Sequence, residues 1–133
     1  MHEAVFAADG AGVTPPGDDL RRDLAALVAV GVEILGRPAA RAALPGLLAE
    51  TSGNPALHAD ILSRFAGGTW AWLHARIERG IAEGEVRAGV RSSTVLELVA
   101  GATFVATAIR PATELGPEWV EGVVDVILAG IAP

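Results

Sequence analysis

Apolar residues recur every three or four positions through most of this chain, and glycine or proline interrupts the recurrence at a few places. Such spacing puts apolar side chains on one face of an α-helix, whereas a half-buried strand would show strict alternation. We find no alternating run and no internal repeat in the sequence. The chain is therefore predicted to be all-α, with about five helices. Their predicted bounds are about 18–36, 38–51, 55–83, 93–110 and 116–132.

Residues that cap helices support these bounds. Asp18 and Asp19 suit the start of the first helix, because a carboxylate accepts hydrogen bonds from the free amides of a first turn. Asn54 suits the start of the third helix in the same way, just before a proline at the first helical position. Ser93 or Thr94 is predicted to cap the fourth helix, since Thr94 begins a capping-box pattern.

Two places inside the predicted helices oppose regular helical structure. Pro45 lies within the second helix and predicts a kink or a break near Ala42. Gly67 and Gly68 lie within the long third helix, where each glycine costs about 1 kcal/mol relative to alanine. This pair predicts either a bend or the close approach of a neighbouring group to the helix backbone.

The length of 133 residues fits one domain. Residues 1–17 are rich in glycine and proline and are predicted to form a flexible lead-in, so that 18–133 is a single helical domain. Apolar residues make up 51% of the chain, and its mean hydropathy is +0.42. So much apolar surface must be covered by the chain's own core, by a second copy or by an apolar ligand.

Charge and cysteine content exclude several classes of function. The net charge is −6, and all ten basic residues are scattered arginines, whereas a nucleic-acid binder carries a clustered basic face. We therefore expect no DNA binding by these residues and no attraction to an anionic membrane. The chain has no cysteine, which excludes disulfides and thiolate metal sites. No apolar run is long enough to span a bilayer and no basic segment opens a signal peptide, so a cytoplasmic location is expected.

A set of motifs in a fixed order resembles the C-terminal domain of the TetR/AcrR transcriptional regulators. Together these motifs cover roughly residues 18–132. They are residues 41–50 (RAALPGLLAE), 54–57 (NPAL), 64–65 (RF), 81–87 (IAEGEVR), 98–101 (LVAG), 119–121 (WVE) and 124–131 (VDVILAGI).

The resemblance implies a homodimeric, ligand-binding regulatory domain. In that family a separate N-terminal domain with a helix-turn-helix reads DNA, and residues 2–8 look like part of the helix that links the two domains. Any DNA contact would therefore come only through an N-terminal domain missing here, and the short start leaves open a truncated regulator or a stand-alone domain. The sequence departs from the family at Thr69-Trp70 and at residues 104–106, where relatives contact ligand or partner.

The ligand pocket is predicted along the long third helix and its neighbours. Trp70 and Trp72 lie about 200° apart around a helix, so only one of them can face the core. The other would stack on a ligand, or alternatively lie at a subunit interface. Threonines of the fourth helix would line the pocket, or alternatively bond back to the preceding turn. The predicted ligand-binding residues are Leu27, Ile34, Phe65, Thr69, Trp72, Leu73, Arg76, Thr103, Phe104 and Thr107.

The last two helices are predicted to form the dimer interface. Their apolar arc is too wide to be covered by one small protomer, and it suits a four-helix contact between two copies. The small residues Gly101 and Gly130 would let the helices approach closely. The predicted interface residues are Val105, Ile109, Trp119, Val120, Val123, Val124 and Ile127.

No pattern indicates catalysis, a metal or a cofactor. His58 and His74 are 16 positions apart on the predicted helix, roughly 24 Å, too far to share a metal. There is no nucleophile elbow and no complete phosphate-binding loop. The resemblance implies a TetR-type repressor domain that responds to a small apolar or aromatic effector. The alternatives are a stand-alone small-molecule carrier or sensor, or a purely dimerising helical module.

Overall fold

Helices make up all the regular structure in the part of the chain that the computed structural model describes, residues 17–57, 59–60 and 68–133, which contains no strand. The all-α prediction is confirmed. Residues 55–57 and 59–60 are also helical, and a short 3-10 helix covers Ala112–Glu114. The longer helices are α1 (Leu20–Gly36), α2 (Pro38–Gly53), α3 (Thr69–Ala82), α4 (Ser92–Ile109) and α5 (Pro117–Ile131).

Local capping chemistry sets the start of α1. The Oδ1 atom of Asp19 accepts a hydrogen bond from the backbone N–H of Arg22 at 3.2 Å, as the sequence predicted. Asp18 forms an ion pair with Arg22 one turn further on. The helix ends at the predicted Gly36. Its apolar stripe, buried in the protein, comprises Leu20, Leu24, Leu27 and Val28.

Helix α2 is continuous through Pro45, so the predicted alternative of a break near Ala42 is wrong. A proline inside a helix removes one hydrogen bond and leaves the carbonyl of the residue four positions earlier without a partner. Here that residue is Arg41, and both Arg41 and Pro45 are exposed, so water can satisfy the carbonyl. At the next boundary the side chain of Asn54 accepts a hydrogen bond from the N–H of Leu57 at 3.1 Å, which confirms the predicted cap.

The predicted long third helix is interrupted. Gly68 has backbone angles of φ −125° and ψ −108°, far from helical values, and α3 begins only at Thr69. The prediction of one helix over 55–83 is therefore wrong, whereas the prediction of an irregularity at the glycine pair holds for Gly68. Gly67 lies outside the described residues.

Helix α4 begins one residue earlier than predicted, and no side chain caps it. The prediction that Ser93 or Thr94 caps the helix is wrong. Arg91 occupies the capping position, and the N–H of Thr94 already donates to its carbonyl at 3.1 Å. The buried hydroxyl of Ser92 lies 2.9 Å from Nδ1 of His74. That contact joins α4 to α3.

The hydrophobic core lies between α1, α3, α4 and α5, with α1 packed on both α4 and α5. Two glycines permit especially close packing. A Cβ atom on Gly31 would lie 3.0 Å from Cγ2 of Thr103, so α1 and α4 approach closely at this point. A Cβ atom on Gly80 would lie 2.7 Å from Cγ2 of Val86 in the segment that follows α3. The contact at Gly31 holds one side of α4 against α1, and Leu98 and Val105 on another side of α4 are exposed.

Candidate functional site

The outer side of α4 and α5 carries large apolar side chains in contact with solvent. Among the described residues, the exposed large hydrophobic side chains are Leu98 and Val105 at 54%, and Ile109 and Val126 at 75%. All four belong to these two helices. We call this surface the α4–α5 face, defined by these four side chains and the groove beside them. Large apolar side chains left exposed together on two helices indicate a site of interaction.

A groove of about 940 Å³ runs between α4 and α5 on this face. Its walls are mostly apolar, and two arginines, Arg87 and Arg91, stand at one end. Arg87 is tied to the end of α5 by hydrogen bonds from its N–H to the carbonyl of Ile131 at 2.9 Å and from Nε to that of Gly130 at 3.0 Å. The apolar and small residues along the groove are Gly89, Val90, Val95, Leu98, Ala102, Trp119, Gly122, Val123, Val126, Ile127, Gly130 and Ile131.

The predicted interface residues divide between this face and the core. Val105 and Ile109 are exposed on α4, and Trp119, Val123 and Ile127 line the groove. Three of the seven are buried in the protomer's own core: Val120 is 9% exposed, Ile127 is 6% exposed although it also borders the groove, and Val124 is fully buried. Successive helical residues turn by about 100°, so an apolar arc as wide as that of α5 necessarily covers both the core and the outer surface.

Sequence reasoning left Leu98 and Val126 out of the interface set. Leu98 is seven positions before Val105, and Val126 is seven positions after Trp119. Seven residues are close to two helical turns, so each lies on the same stripe as a residue that was predicted. The heptad spacing was the signal that could have found them.

The predicted ligand residues fall into two groups by burial. Leu27 and Leu73 are core residues with at most 5% exposure, and Trp72 packs against the same cluster. Ile34, Thr69 and Phe104 are half-buried, as is Trp70. Phe65 lies outside the described residues. The structure thus brings Leu27, Trp72 and Leu73 together in one cluster. Ile34 and Phe104 are not members of that cluster.

The two predicted pocket threonines bond to their own helix. The hydroxyl of Thr103 donates to the carbonyls of Val99 and Ala100 at 2.9 and 3.0 Å. The hydroxyl of Thr107 donates in the same way to the carbonyls of Thr103 and Phe104 at 2.8 and 3.1 Å. These contacts match the predicted alternative, in which a mid-helix threonine bonds to the preceding turn.

Arg76 is the centre of a buried ion network. Its Nε lies 3.0 Å from Oδ2 of Asp23, and its guanidinium also pairs with Glu85 at 3.1 Å. The other carboxylate oxygen of Asp23 accepts from the N–H of Gly17 at 3.1 Å. Burial opposes the charged form of Arg76, but its hydrogen bonds to Glu85 and Asp23 outweigh this effect and raise the pKa of the guanidinium above its ordinary value. The charge of this predicted ligand residue is thus balanced within the protein.

No group of three or more histidine, aspartate or glutamate side chains suited to a metal ion occurs among the residues that the structure describes. His74 is exposed, and His58 lies outside the described residues. One described helix, α4, is long and apolar enough to cross a membrane by length and composition alone. Its inner side is occupied by core contacts, with Val95 and Val99 almost completely buried.

Comparison with known proteins identifies a family for this chain. Residues 14–127 match the family described as tetracycline repressor-like, C-terminal domain. No curated protein and no solved structure matches the chain. Members of that family are all-α domains that dimerise and bind small-molecule effectors. The match covers most of the chain and agrees with its helical architecture, so the chain belongs to the family of tetracycline repressor-like C-terminal domains.

Proposed function

We propose that this chain is the effector-binding and dimerisation domain of a cytoplasmic TetR-type transcriptional repressor. The observation that carries the proposal is the exposed apolar face of α4 and α5 in a domain of this family. A net charge of −6 opposes binding of the polyanionic DNA backbone by these residues. DNA would instead be bound through a separate helix-turn-helix domain.

The α4–α5 face is the proposed contact between two copies. Leu98, Val105 and Val126 would lose their contact with water when a second copy covers them, and apolar burial is the main driving force of association. Open space lies beside Gly101, Gly122 and Gly130, because a Cβ atom on any of them would meet no other atom within 4 Å within the protomer. The lack of a side chain at these positions favours close contact with another helix. The space beside these glycines is therefore open to the helices of the other copy, which would complete a four-helix interface.

The effector would be a small apolar or aromatic molecule. Half-buried apolar side chains of α1, α3 and α4 are the proposed contacts, with Ile34, Trp72 and Phe104 the foremost and the half-buried Thr69 at the start of α3 a further one. Half-burial leaves apolar surface that a ligand can cover. Effector binding would shift the relative placement of the two DNA-binding domains through a coupling free energy of about 1–3 kcal/mol. A catalytic role is not proposed, since the family is one of regulators.

Sedimentation velocity of matched variants tests the dimer. Leu98→Glu introduces a charge on the α4–α5 face, and Ala100→Glu introduces the same charge at an exposed position elsewhere on α4. We expect the wild type and Ala100→Glu to sediment as dimers and Leu98→Glu as a monomer. A monomeric wild type, or a Leu98→Glu variant that remains dimeric, would overturn the proposed interface.

Native mass spectrometry of protein taken directly from cells tests the effector site. We expect a dimer that retains a small bound molecule, and we expect Phe104→Ala to lose that extra mass while remaining dimeric. Val105→Ala, the neighbouring change on the α4–α5 face, is the matched control and should retain it. Protein that carries no bound mass in any preparation, and whose melting temperature does not respond to a panel of small aromatic compounds, would argue against an effector-binding function.

A further inference from the structure

The two arginines at one end of the groove have no acidic partner within the described part of the protomer. The exposed side chain of Arg91 makes no ion pair and no hydrogen bond there. The side chain of Arg87 uses only Nε, which donates to the carbonyl of Gly130 at 3.0 Å, so its two terminal nitrogens can still donate to another acceptor. No aspartate or glutamate occurs among the described residues that line the groove. One end of an apolar groove thus carries an unbalanced positive charge.

The acidic side chains of α5 lie on another side of that helix. Arg21 of α1 pairs with Glu121 and Asp125 at 3.0 and 2.7 Å. Glu118 precedes Glu121 by three positions, so it lies on the same stripe of α5 as these paired carboxylates. Helix α5 therefore supplies no counter-charge to the two arginines of the groove.

The remainder of the groove suits the apolar tail of a small molecule. Its volume of about 940 Å³ falls within the range of about 300–1,000 Å³ that small-molecule sites span. Twelve positions separate Trp119 from Ile131 at the arginine end, which corresponds to about 18 Å along α5. Leu98 and Val126 line this length and are 54% and 75% exposed, so a ligand in the groove would cover apolar surface that now meets water.

A second copy on the α4–α5 face would not balance the charge of these arginines. In a two-fold contact the same surface of each copy meets the other, and no acidic side chain belongs to the described residues that define this face. Burial of an unpaired charge is costly, and packed interiors contain few voids larger than a water molecule. An anion with an apolar tail would remove both costs, because its head balances the charge and its tail fills the groove.

We propose that the groove binds an amphipathic carboxylate, a small molecule with an anionic head and an apolar tail, beneath the second copy. The head would lie at Arg87 and Arg91, and the tail would extend along α5 towards Trp119. This inference rests on the proposed dimer and adds a ligand site separate from the proposed effector contacts, since Ile34 and Phe104 do not line the groove. Because the ligand would contact both copies, its binding and dimerisation would strengthen each other.

Decanoate is the probe, and two further compounds separate the role of the head from that of the tail. Decyltrimethylammonium has the same tail with a positive head, and acetate has the carboxylate without the tail. In sedimentation velocity below the micelle-forming concentrations, decanoate should lower the dissociation constant of the dimer about tenfold or more, because a ligand that prefers the dimer stabilises it by mass action. The other two compounds should leave it unchanged. An equal effect of decyltrimethylammonium would show that the groove does not select a carboxylate and would overturn the inference.

Arg91 is the position to change, because its side chain makes no other contact in the described protomer. Arg91→Gln should weaken decanoate binding about tenfold in isothermal titration calorimetry, since a charge-assisted hydrogen bond is lost. The dimer of this variant without decanoate should be at least as tight as that of the wild type. Arg41→Gln, an exposed change on α2, is the matched control and should bind decanoate like the wild type. If Arg91→Gln weakens the dimer without decanoate, the partner subunit supplies the counter-charge and the inference is wrong.

The outcomes separate this inference from the proposed function. If the wild type is a dimer that decanoate neither binds nor stabilises, the carboxylate site is wrong while the dimer stands. If the wild type stays monomeric with and without decanoate, both the dimer and the site fail. Circular dichroism of each variant verifies that the substitutions at these exposed positions leave the fold intact.

Discussion

The guanidinium of Arg76 lies 3.0 Å from the carboxylate of Asp23, although 53 positions separate the two residues and neither side chain is more than 3% exposed. The pair joins α3 to α1 inside the protein. Gly17 uses the second oxygen of the same carboxylate, and Glu85 contacts the outer side of the guanidinium. One buried network therefore connects the segment before α1, two core helices and the segment that follows α3.

Removal of one member of this pair should strongly destabilise the domain. Asp23→Leu leaves Arg76 buried with only the partly exposed Glu85, and loss of one partner of a buried pair costs about 3–5 kcal/mol. We expect the double variant D23L/R76M to be less destabilised than the sum of the two single changes. Urea unfolding at a fixed protein concentration measures these differences. Arg21→Met, which breaks the exposed pairs with Glu121 and Asp125, is the control and should destabilise the domain far less, because exposed ion pairs contribute little to stability.

Gly80 should not tolerate even an alanine. Its added methyl group would lie 2.7 Å from Cγ2 of Val86, which is itself only 2% exposed. We expect Gly80→Ala to lower the free energy of unfolding by about 1–3 kcal/mol through overpacking. The matched change Gly46→Ala, in α2 with no atom near the new methyl group, should instead raise it by about 0.5–1 kcal/mol. Equal effects of the two substitutions in thermal unfolding would contradict the close contact.

The approach of α1 to α4 depends on the absence of a side chain at Gly31. A Cβ atom there would lie 3.0 Å from Cγ2 and 3.2 Å from Oγ1 of Thr103. We expect Gly31→Leu to cost about 2 kcal/mol or more, because the helices must separate or distort. Gly31→Ala should lower the free energy of unfolding less than Gly31→Leu does. If Thr103→Ala in the double variant reduces the loss caused by Gly31→Ala, the contact with Thr103 is its cause. Additive effects in that double-mutant cycle would rule it out.

Asp18 offers a test of the charge arrangement before α1. Its hydrogen bond with Arg22 lowers the pKa of the carboxyl below the ordinary value of 3.8. A pKa that is lower in the folded than in the unfolded state gives a stabilising contribution above the unfolded value, and this contribution is lost as the pH falls through the folded value. Arg22→Gln should raise the pKa of Asp18 towards its ordinary value in an NMR titration. An unchanged pKa would show that Arg22 is not its main cause.

Local sequence signals predicted the features that depend on neighbours a few positions away. The caps at Asp19 and Asn54, the end of α1 at Gly36 and the start of α5 at Pro117 were each predicted from residues within one turn of the boundary. Apolar spacing was sufficient for the all-α class, since a period of 3.6 residues is a property of the helix alone. The same spacing predicted an outward apolar stripe on α4, where Val105 and Ile109 are exposed.

What the sequence could not determine depends on contacts between distant segments. Ser92 bonds to His74 across two helices, and Arg76 balances its charge with Asp23. Which side of a wide apolar arc turns inward was equally undetermined, and packing against α1 buries Val124 while Val126 stays exposed. Pro45 is tolerated because its side of α2 is exposed. Helix bounds follow from hydrogen bonds within a turn, which the sequence carries, whereas burial and charge pairing arise only when the helices pack.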